Sequence, residues 1–334
     1  MKSKKIAVFL GGISSERDVS IVTGVNIARG LDQLGYQVLA LDVAHGPSEI
    51  DFKSDNYSVH PVPPDSIALK KLESNIIRAV QFVLDEKIDL VFNALHGGYG
   101  ENGQLPALLE LAGVPFTGSD SKSSAIAMDK EFTKIIAEKW GIPTAPWIMI
   151  DSVSPKMIDI PFPYPVVVKP ATEGSTVGLT IVQSPDHLAE ALELASKYCS
   201  KILIEQFIPG RELTVSILGE DALPLIEIRP KSGFYDYESK YQSGKTEYLV
   251  PAPIQPDLAE SMQKDALMLY QKIGLRHYAR IDFRLHEDGE HYYLLEANNL
   301  PGMTPTSLVP KAAGAVGLGF NDILDKIVKM ALEG

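Results

Sequence analysis

The run KIAVFL, residues 5 to 10, constrains the fold most. Its five consecutive apolar residues leave no polar face, so a strand here must be covered on both sides, as in a parallel sheet flanked by helices. A Gly11-Gly12 turn follows, and SERDVSIVTGVNIARGL then carries helical spacing. QVLALDV repeats the strand signal, LESNIIRAVQFVLDEK the helical one and IDLVFN the strand again. Such alternation implies βαβ units. Ser15 with Asp18 reads as a capping pair, which sets Glu16 in the first helical turn facing the open end of the sheet. Another helix is expected near Pro106, because LPALLELAG has Pro early and Gly late. Residues 1–120 are therefore expected to form a doubly wound α/β domain. Its Gly-Gly turn lacks the G-x-G-x-x-G spacing of a dinucleotide site.

Beyond that domain the pattern changes twice. SKSSAIAMDKEFTKIIAEKWG predicts one long helix ended by Gly141, followed by the strands APWIMI, YPVVVKP, LTIVQ and KILIEQF around a helix near 186–198. This gives a central α+β unit, 121–208. Long strands then dominate 209–334: RELTVSILG, ALPLIEIRP, YARIDFRL and HYYLLEAN, with a helix near 257–274. The loop 233–251 is long and charged, and loops of that length are functional or disordered. A chain of 334 residues exceeds one ordinary core, in keeping with several domains. The net charge of −12 argues against a surface that binds nucleic acid by neutralising phosphates, so any anion must meet a local basic site. Cys199 is the only cysteine, which excludes an intrachain disulfide, suits a reducing compartment and reads as a small buried hydrophobe. The apolar run at the N-terminus is too short for a signal h-region or a membrane span, so a cytoplasmic protein with no membrane partner is expected.

The chemistry concentrates in LLEANNLPGMTPTSLVPK, residues 294–311. Glu296 and Asn298 stand two apart on a strand and so share a face. Asp282 lies on the preceding strand of an expected hairpin. A two-residue Asp-Gly loop would set Asp282 opposite Leu295 and turn Glu296 away, so a shared site calls for an odd-length loop with Gly289 left-handed. Three oxygen donors without His or Cys suit Mg²⁺ or Mn²⁺ rather than zinc. The competing reading is a solvated hairpin edge, and the apolar run Tyr292 to Leu295 weighs against it. Lys169 ends an apolar strand, and the loop EGSTVG, 173–178, offers backbone N–H groups to a phosphate. Lys130 sits in an amphipathic helix, where lysines are usually solvated, but two lysines beside a metal set fit nucleotide phosphates. Glu205 and Glu212 flank a turn where acids can accept from an adenine amino group or ribose hydroxyls. His96 lies at the carboxyl end of a strand, where open α/β sheets bind ligands, and it is open between structural and functional roles. Arg280 would share the Asp282 face and, with the Gly302 N–H, could stabilise a developing oxyanion.

Together, GGISSERDVS, ALHGGYGENGQLPALLELAGVPFTGS, AMDK, VVVKPATEGSTVG, IEQFIPGRELTV, FYDYESKY, ARIDF and LLEANNLPGMTPTSLVP closely resemble the D-alanine–D-alanine ligases, of the ATP-grasp fold. They run in family order over nearly the whole chain. The resemblance implies an ATP-dependent enzyme that makes the D-alanyl-D-alanine of peptidoglycan precursors through a D-alanyl phosphate. It implies ATP binding by Lys130, Lys169, Glu205, Glu212 and Lys240, by the loop residues Glu173, Gly174 and Ser175, and by the backbone at Gln206 and Phe207. It also implies two Mg²⁺ or Mn²⁺ ions on Asp282, Glu296 and Asn298. Glu16 and His96 would hold the first D-alanine, Arg280 and Gly302 the tetrahedral intermediate, and Ser307 with the Leu308 N–H the second carboxylate. Ser175, Tyr241 and Glu16 would tie the phosphate loop and the long loop to the first domain, making that loop a water-excluding lid. Tyr241 favours an amine acceptor, and the alternative is a related ligase using D-lactate, D-serine or another amine acceptor. A homodimer through the first domain is also implied.

Overall fold

The computed structural model describes residues 4–60, 64–151, 158–174, 176–231 and 245–333. The KIAVFL run forms β1 (Lys5–Leu10), hydrogen-bonded in parallel to β2 (Gln37–Asp42) and β4 (Leu90–Asn93), while the short β3 (Ser48–Glu49) pairs antiparallel at the edge. Its alternating side chains feed two cores. Ile6, Val8 and Leu10 pack with Val25, Ala28 and Leu31 of the helix Arg17–Gln33. Ala7 and Phe9 pack with Ile76, Ala79 and Val83 of the helix Asn75–Asp85 and with Leu105 and Leu109 of the helix Gln104–Ala112. This two-sided cover is why the strand has no polar face.

The first of these cores also receives the far end of the chain. Ile323, Leu324, Ile327 and Val328 of the helix Phe320–Glu333 lie in it. Gly30 permits this approach, since a methyl there would come within 2.5 Å of Leu324 Cδ1.

A second sheet, in the order β5 (Trp147–Asp151), β8 (Lys201–Gln206), β6 (Val166–Pro170), β7 (Thr180–Val182), is antiparallel and covered by the helix Leu188–Ser196. The third sheet runs β12 (Thr246–Leu249), β11 (Ile226–Pro230), β9 (Gly210–Leu218), β13 (Tyr278–His286), β14 (Tyr292–Asn298), with β10 (Asp221–Ala222) on β9. The helix Pro256–Ile273 buries Met262, Ala266, Leu269 and Ile273 against it.

Two local expectations are corrected. Ser15 and Asp18 do not form the expected cap: Glu16 is the N-cap residue of Arg17–Gln33, and Asp18 instead accepts from His60 N and faces His60 Nδ1 at 2.5 Å. The long helix 121–141 is two helices, Ser121–Met128 and Lys130–Lys139, divided at Asp129, whose extended backbone (φ −88, ψ 108) lets its carboxylate accept from Glu131 N and cap the second. That break moves Lys130 from mid-helix to a first turn. The second helix is also inverted: Lys130, Thr133, Lys134 and Ala137 form its buried face, while Phe132 and Ile135 are exposed.

Candidate active site

The metal-type residues meet by a route the hairpin loop does not dictate. Near the turn, Leu285 pairs with Tyr292 and Phe283 with Leu294, a register that if continued would put Asp282 opposite Leu295. Gly289 is left-handed as expected (φ +76), but the loop does not have the odd length that was inferred. A β-bulge at Leu295 shifts the ladder instead, pairing Asp282 with Glu296 and Arg280 with Asn298. One extra residue thus re-aims the strand end, as bulges beside active sites do.

On the resulting face Asp282, 4% exposed, accepts from four donors: Thr214 Oγ1 at 2.6 Å, Arg280 Nε at 2.9 Å, Arg280 Nη2 at 2.8 Å and Asn298 Nδ2 at 2.9 Å. Thr214 is brought opposite Asp282 by the β9–β13 register. Two carboxylates and an amide, with no nitrogen or sulfur ligand, make a hard-oxygen donor set that fits Mg²⁺ or Mn²⁺. Among the described residues no group of three His, Cys, Asp or Glu could hold a metal ion, and the set here offers two carboxylates with an amide as its third donor.

Beside this face, between the second and third sheets, lies a cavity of 410 Å³ lined by Lys130, Lys169, Glu205, Phe207, Glu212 and Glu296, with Glu173, Gly174 and Gln206 also in its wall. Lys130, 7% exposed, donates to the Glu173 carbonyl at 2.6 Å and stands 3.7 Å from Glu296 Oε2. Glu205 is 3% exposed, with Lys169 Nζ 2.5 Å from one carboxylate oxygen and Lys134 Nζ 2.8 Å from the other. Burial pushes this carboxyl group's pKa up, but the two ammonium groups outweigh it and bring it down to about 2. Glu212 Oε2 lies 3.7 Å from Arg284, whose Nε donates to the Ile208 carbonyl and whose guanidinium sits over the Phe207 ring. Burial raises the pKa of Glu173, Lys130 opposes the rise and nearby Glu16 adds to it.

A second cavity, of 260 Å³, brings together Glu16, His96, Arg280, Glu296, Asn298, Gly302, Ser307 and Leu308 from three distant stretches of chain. Buried His96 lies with Nε2 3.1 Å from Thr23 Oγ1 and Nδ1 3.5 Å from Glu101 Oε1. Ser307 is the N-cap residue of the helix Leu308–Gly314, and its Oγ accepts from Thr304 N at 3.0 Å. Glu296 and Gly174 line both cavities, which therefore meet at the bulged strand end and the small-residue loop. Ser175, Lys240 and Tyr241 lie outside the described residues.

Residues 5–119 match the D-ala D-ala ligase N-terminus family, and residues 136–329 match the D-ala D-ala ligase C-terminus family. The chain belongs to the D-alanine–D-alanine ligase family. Among family members, the D-alanine–D-alanine ligase of Syntrophotalea carbinolica is 40% identical over 98% of this chain and 96% of its own length. That of Halalkalibacterium halodurans is 38% identical over 98% and 99% respectively. The crystal structure of a D-alanine–D-alanine ligase from Bacillus anthracis superposes with a TM-score of 0.77 at 32% identity, covering 99% of this chain and 98% of that one. A structure of the Bacillus anthracis ligase complexed with ATP gives 0.75 at 31% identity. The ATP-grasp fold expected of the family is thus present.

Several residues in contact with this candidate site carry no assignment from the sequence. Lys134 follows Lys130 by one helical turn, a spacing that places both on one face and could have drawn attention to it. Thr214, Thr23 and Arg284 carry no such signal, since long-range strand register and packing bring them in.

Proposed function

We propose that this chain uses ATP to join two D-alanines into D-alanyl-D-alanine for peptidoglycan precursors. The observation that carries the reading is the junction of the two cavities at Glu296 and Gly174, where a γ-phosphate held in one would meet a carboxylate held in the other. The carboxylate of the first D-alanine, oriented by Glu16 and His96, attacks the γ-phosphorus; the bond to the β-phosphate oxygen breaks and ADP leaves. The amine of the second D-alanine, its carboxylate at Ser307 and the Leu308 N–H, then attacks the acyl carbon. Negative charge on that carbonyl oxygen is met by Arg280 and the Gly302 N–H, and as the C–O bond breaks inorganic phosphate departs carrying the proton shed by the amine nitrogen.

Lys130 and Lys169 serve the phosphates, the backbone at Gln206 and Phe207 lines the adenine, and Glu212 accepts from the ribose. Two Mg²⁺ or Mn²⁺ ions on Asp282, Glu296 and Asn298 would neutralise charge on the transferring phosphoryl group. By family resemblance, Lys240 would serve the phosphates, and Ser175 and Tyr241 would act with Glu16 to exclude water; Lys240, Ser175 and Tyr241 lie outside the described residues. The chain divides at about 120 and 208 into three units, works in the cytoplasm and pairs through the first unit as a homodimer. No helix among the described residues is long and apolar enough to cross a membrane.

The test is ADP release with Mg²⁺-ATP, titrated with D-alanine, L-alanine and D-lactate singly and in pairs, with products identified by mass. D-alanine-dependent release with the dipeptide as product is expected. Release with no dipeptide, or none with D-alanine, would overturn the reading.

A further inference from the structure

Lys134 and Lys169 hold the two oxygens of one carboxylate but differ in access. Lys169 lines the nucleotide-sized cavity, whereas Lys134, 1% exposed, lies beneath it and donates to Thr144 Oγ1 at 2.6 Å. We propose that Lys134 is a positioning residue for the nucleotide: it keeps Glu205 ionised and in place when Lys169 turns from Glu205 to a phosphate. The inference rests on the ATP-dependent reading above and deepens it.

Charge separates the roles of the two lysines. Glu205 is a buried anion, and a buried carboxylate stripped of its only partner is strongly disfavoured. If Lys169 were that only partner, it could not leave for a phosphate without exacting that penalty. With Lys134 fixed on the other oxygen, the carboxylate keeps a counter-ion throughout, and the second ammonium is the surplus charge that a phosphate can claim. The other charged groups facing this cluster are Lys130, whose charge interacts with both Lys169 and Glu205, and Glu138, which faces Lys134.

Lys134 is also joined to the bulged strand. Thr144, its hydrogen-bond partner, bridges to Leu294, and Leu294 N donates to the Pro143 carbonyl at 2.7 Å. Leu294 is the last residue before the bulge that aims Glu296. The same ammonium therefore anchors the floor of the nucleotide cavity and the strand that closes its phosphate end.

The experiment compares wild type, K134M, K134R, E205Q and K134M/E205Q by equilibrium binding of a non-hydrolysable ATP analogue with Mg²⁺ between pH 5 and 8.5, alongside the KM for D-alanine. K134M is expected to weaken analogue binding tenfold or more at pH 7 and to introduce, within this pH range, an acid limb absent from wild type, as Glu205 takes a proton. K134R is expected to abolish that limb, and the KM for D-alanine to stay within twofold. In the E205Q background the K134M effect should fall below threefold. Analogue binding within twofold of wild type in K134M, or a K134M profile without that acid limb, overturns the proposal. Should K134M not fold, E205Q and K134M/E205Q carry the test: a tenfold difference between them overturns it. Failure of wild type to bind the analogue would instead strike the ATP reading itself.

Discussion

Replacing Asp282 with Asn separates the structural duty of this carboxylate from its chemical one. Asp282 accepts from Thr214, twice from Arg280 and from Asn298, all between 2.6 and 2.9 Å. An amide keeps the size but removes the charge, and its NH₂ group faces donors on Arg280 or Asn298. Breaking a buried ion pair costs about 3–5 kcal/mol, and hydrogen bonds to a charged group contribute about 1.5–3 kcal/mol each. One amide oxygen retains part of this, so the expected loss is about 2–4 kcal/mol in the urea-derived unfolding free energy without nucleotide. Turnover should fall further than stability explains, by at least roughly a hundredfold under conditions where the variant is fully folded, because alignment of Arg280 and the hard-oxygen set are lost together. The assay pairs urea denaturation with dipeptide formation at saturating Mg²⁺-ATP. An unchanged unfolding free energy would refute the buried four-donor geometry, and a rate within fivefold of wild type would refute the chemical role.

His277 and Gly210 offer two further tests. His277 Nδ1 accepts from Gly118 N at 3.0 Å, and burial, with Arg276 adding, lowers its pKa from 6.5 to about 4. Because the unfolded chain binds the proton more readily, this stabilisation is present above pH 6.5 and is lost as pH falls towards 4; it amounts to roughly 3 kcal/mol. His277→Asn, which tolerates the left-handed backbone (φ +64), should flatten the stability profile between pH 6.5 and 4, and an unchanged slope would remove His277 from the account. Gly210→Ala would drive a methyl into the Leu285 carbonyl oxygen at φ +135, so a loss of about 2–4 kcal/mol is expected. Gly35→Ala meets nothing within 4 Å and should lose only about 1 kcal/mol of backbone strain; equal thermal shifts for the two would contradict the steric argument.

Much of the fold was legible because its signals are local. The unbroken KIAVFL run foretold a strand covered on both faces, and the alternation around it foretold the parallel pairing with β2 and β4. The ordered motifs pointed to the family directly. The Ser15–Asp18 cap failed because a tertiary partner, His60, takes the Asp18 carboxylate that a local cap would use. The single helix across 121–141 failed at Asp129, where Lys130 N donates to the distant Ala171 carbonyl rather than continuing a helical ladder.

The sequence by itself determined which residues could serve: the acids and amide of LLEANN, the lysines near 130 and 169, and the small-residue loop between strands. Tertiary structure decided how they meet. The hairpin alone would have aimed Glu296 away from Asp282, and only the bulge at Leu295 restored the shared face, because a strand's side chains reverse with every one-residue slip. Helical spacing put Lys130 and Lys134 on one side of a helix, but which side is buried was decided by Glu205, on a strand some seventy residues away. Charge pairing across the fold there outweighed the hydrophobicity of Phe132 and Ile135, which lie exposed on the opposite face.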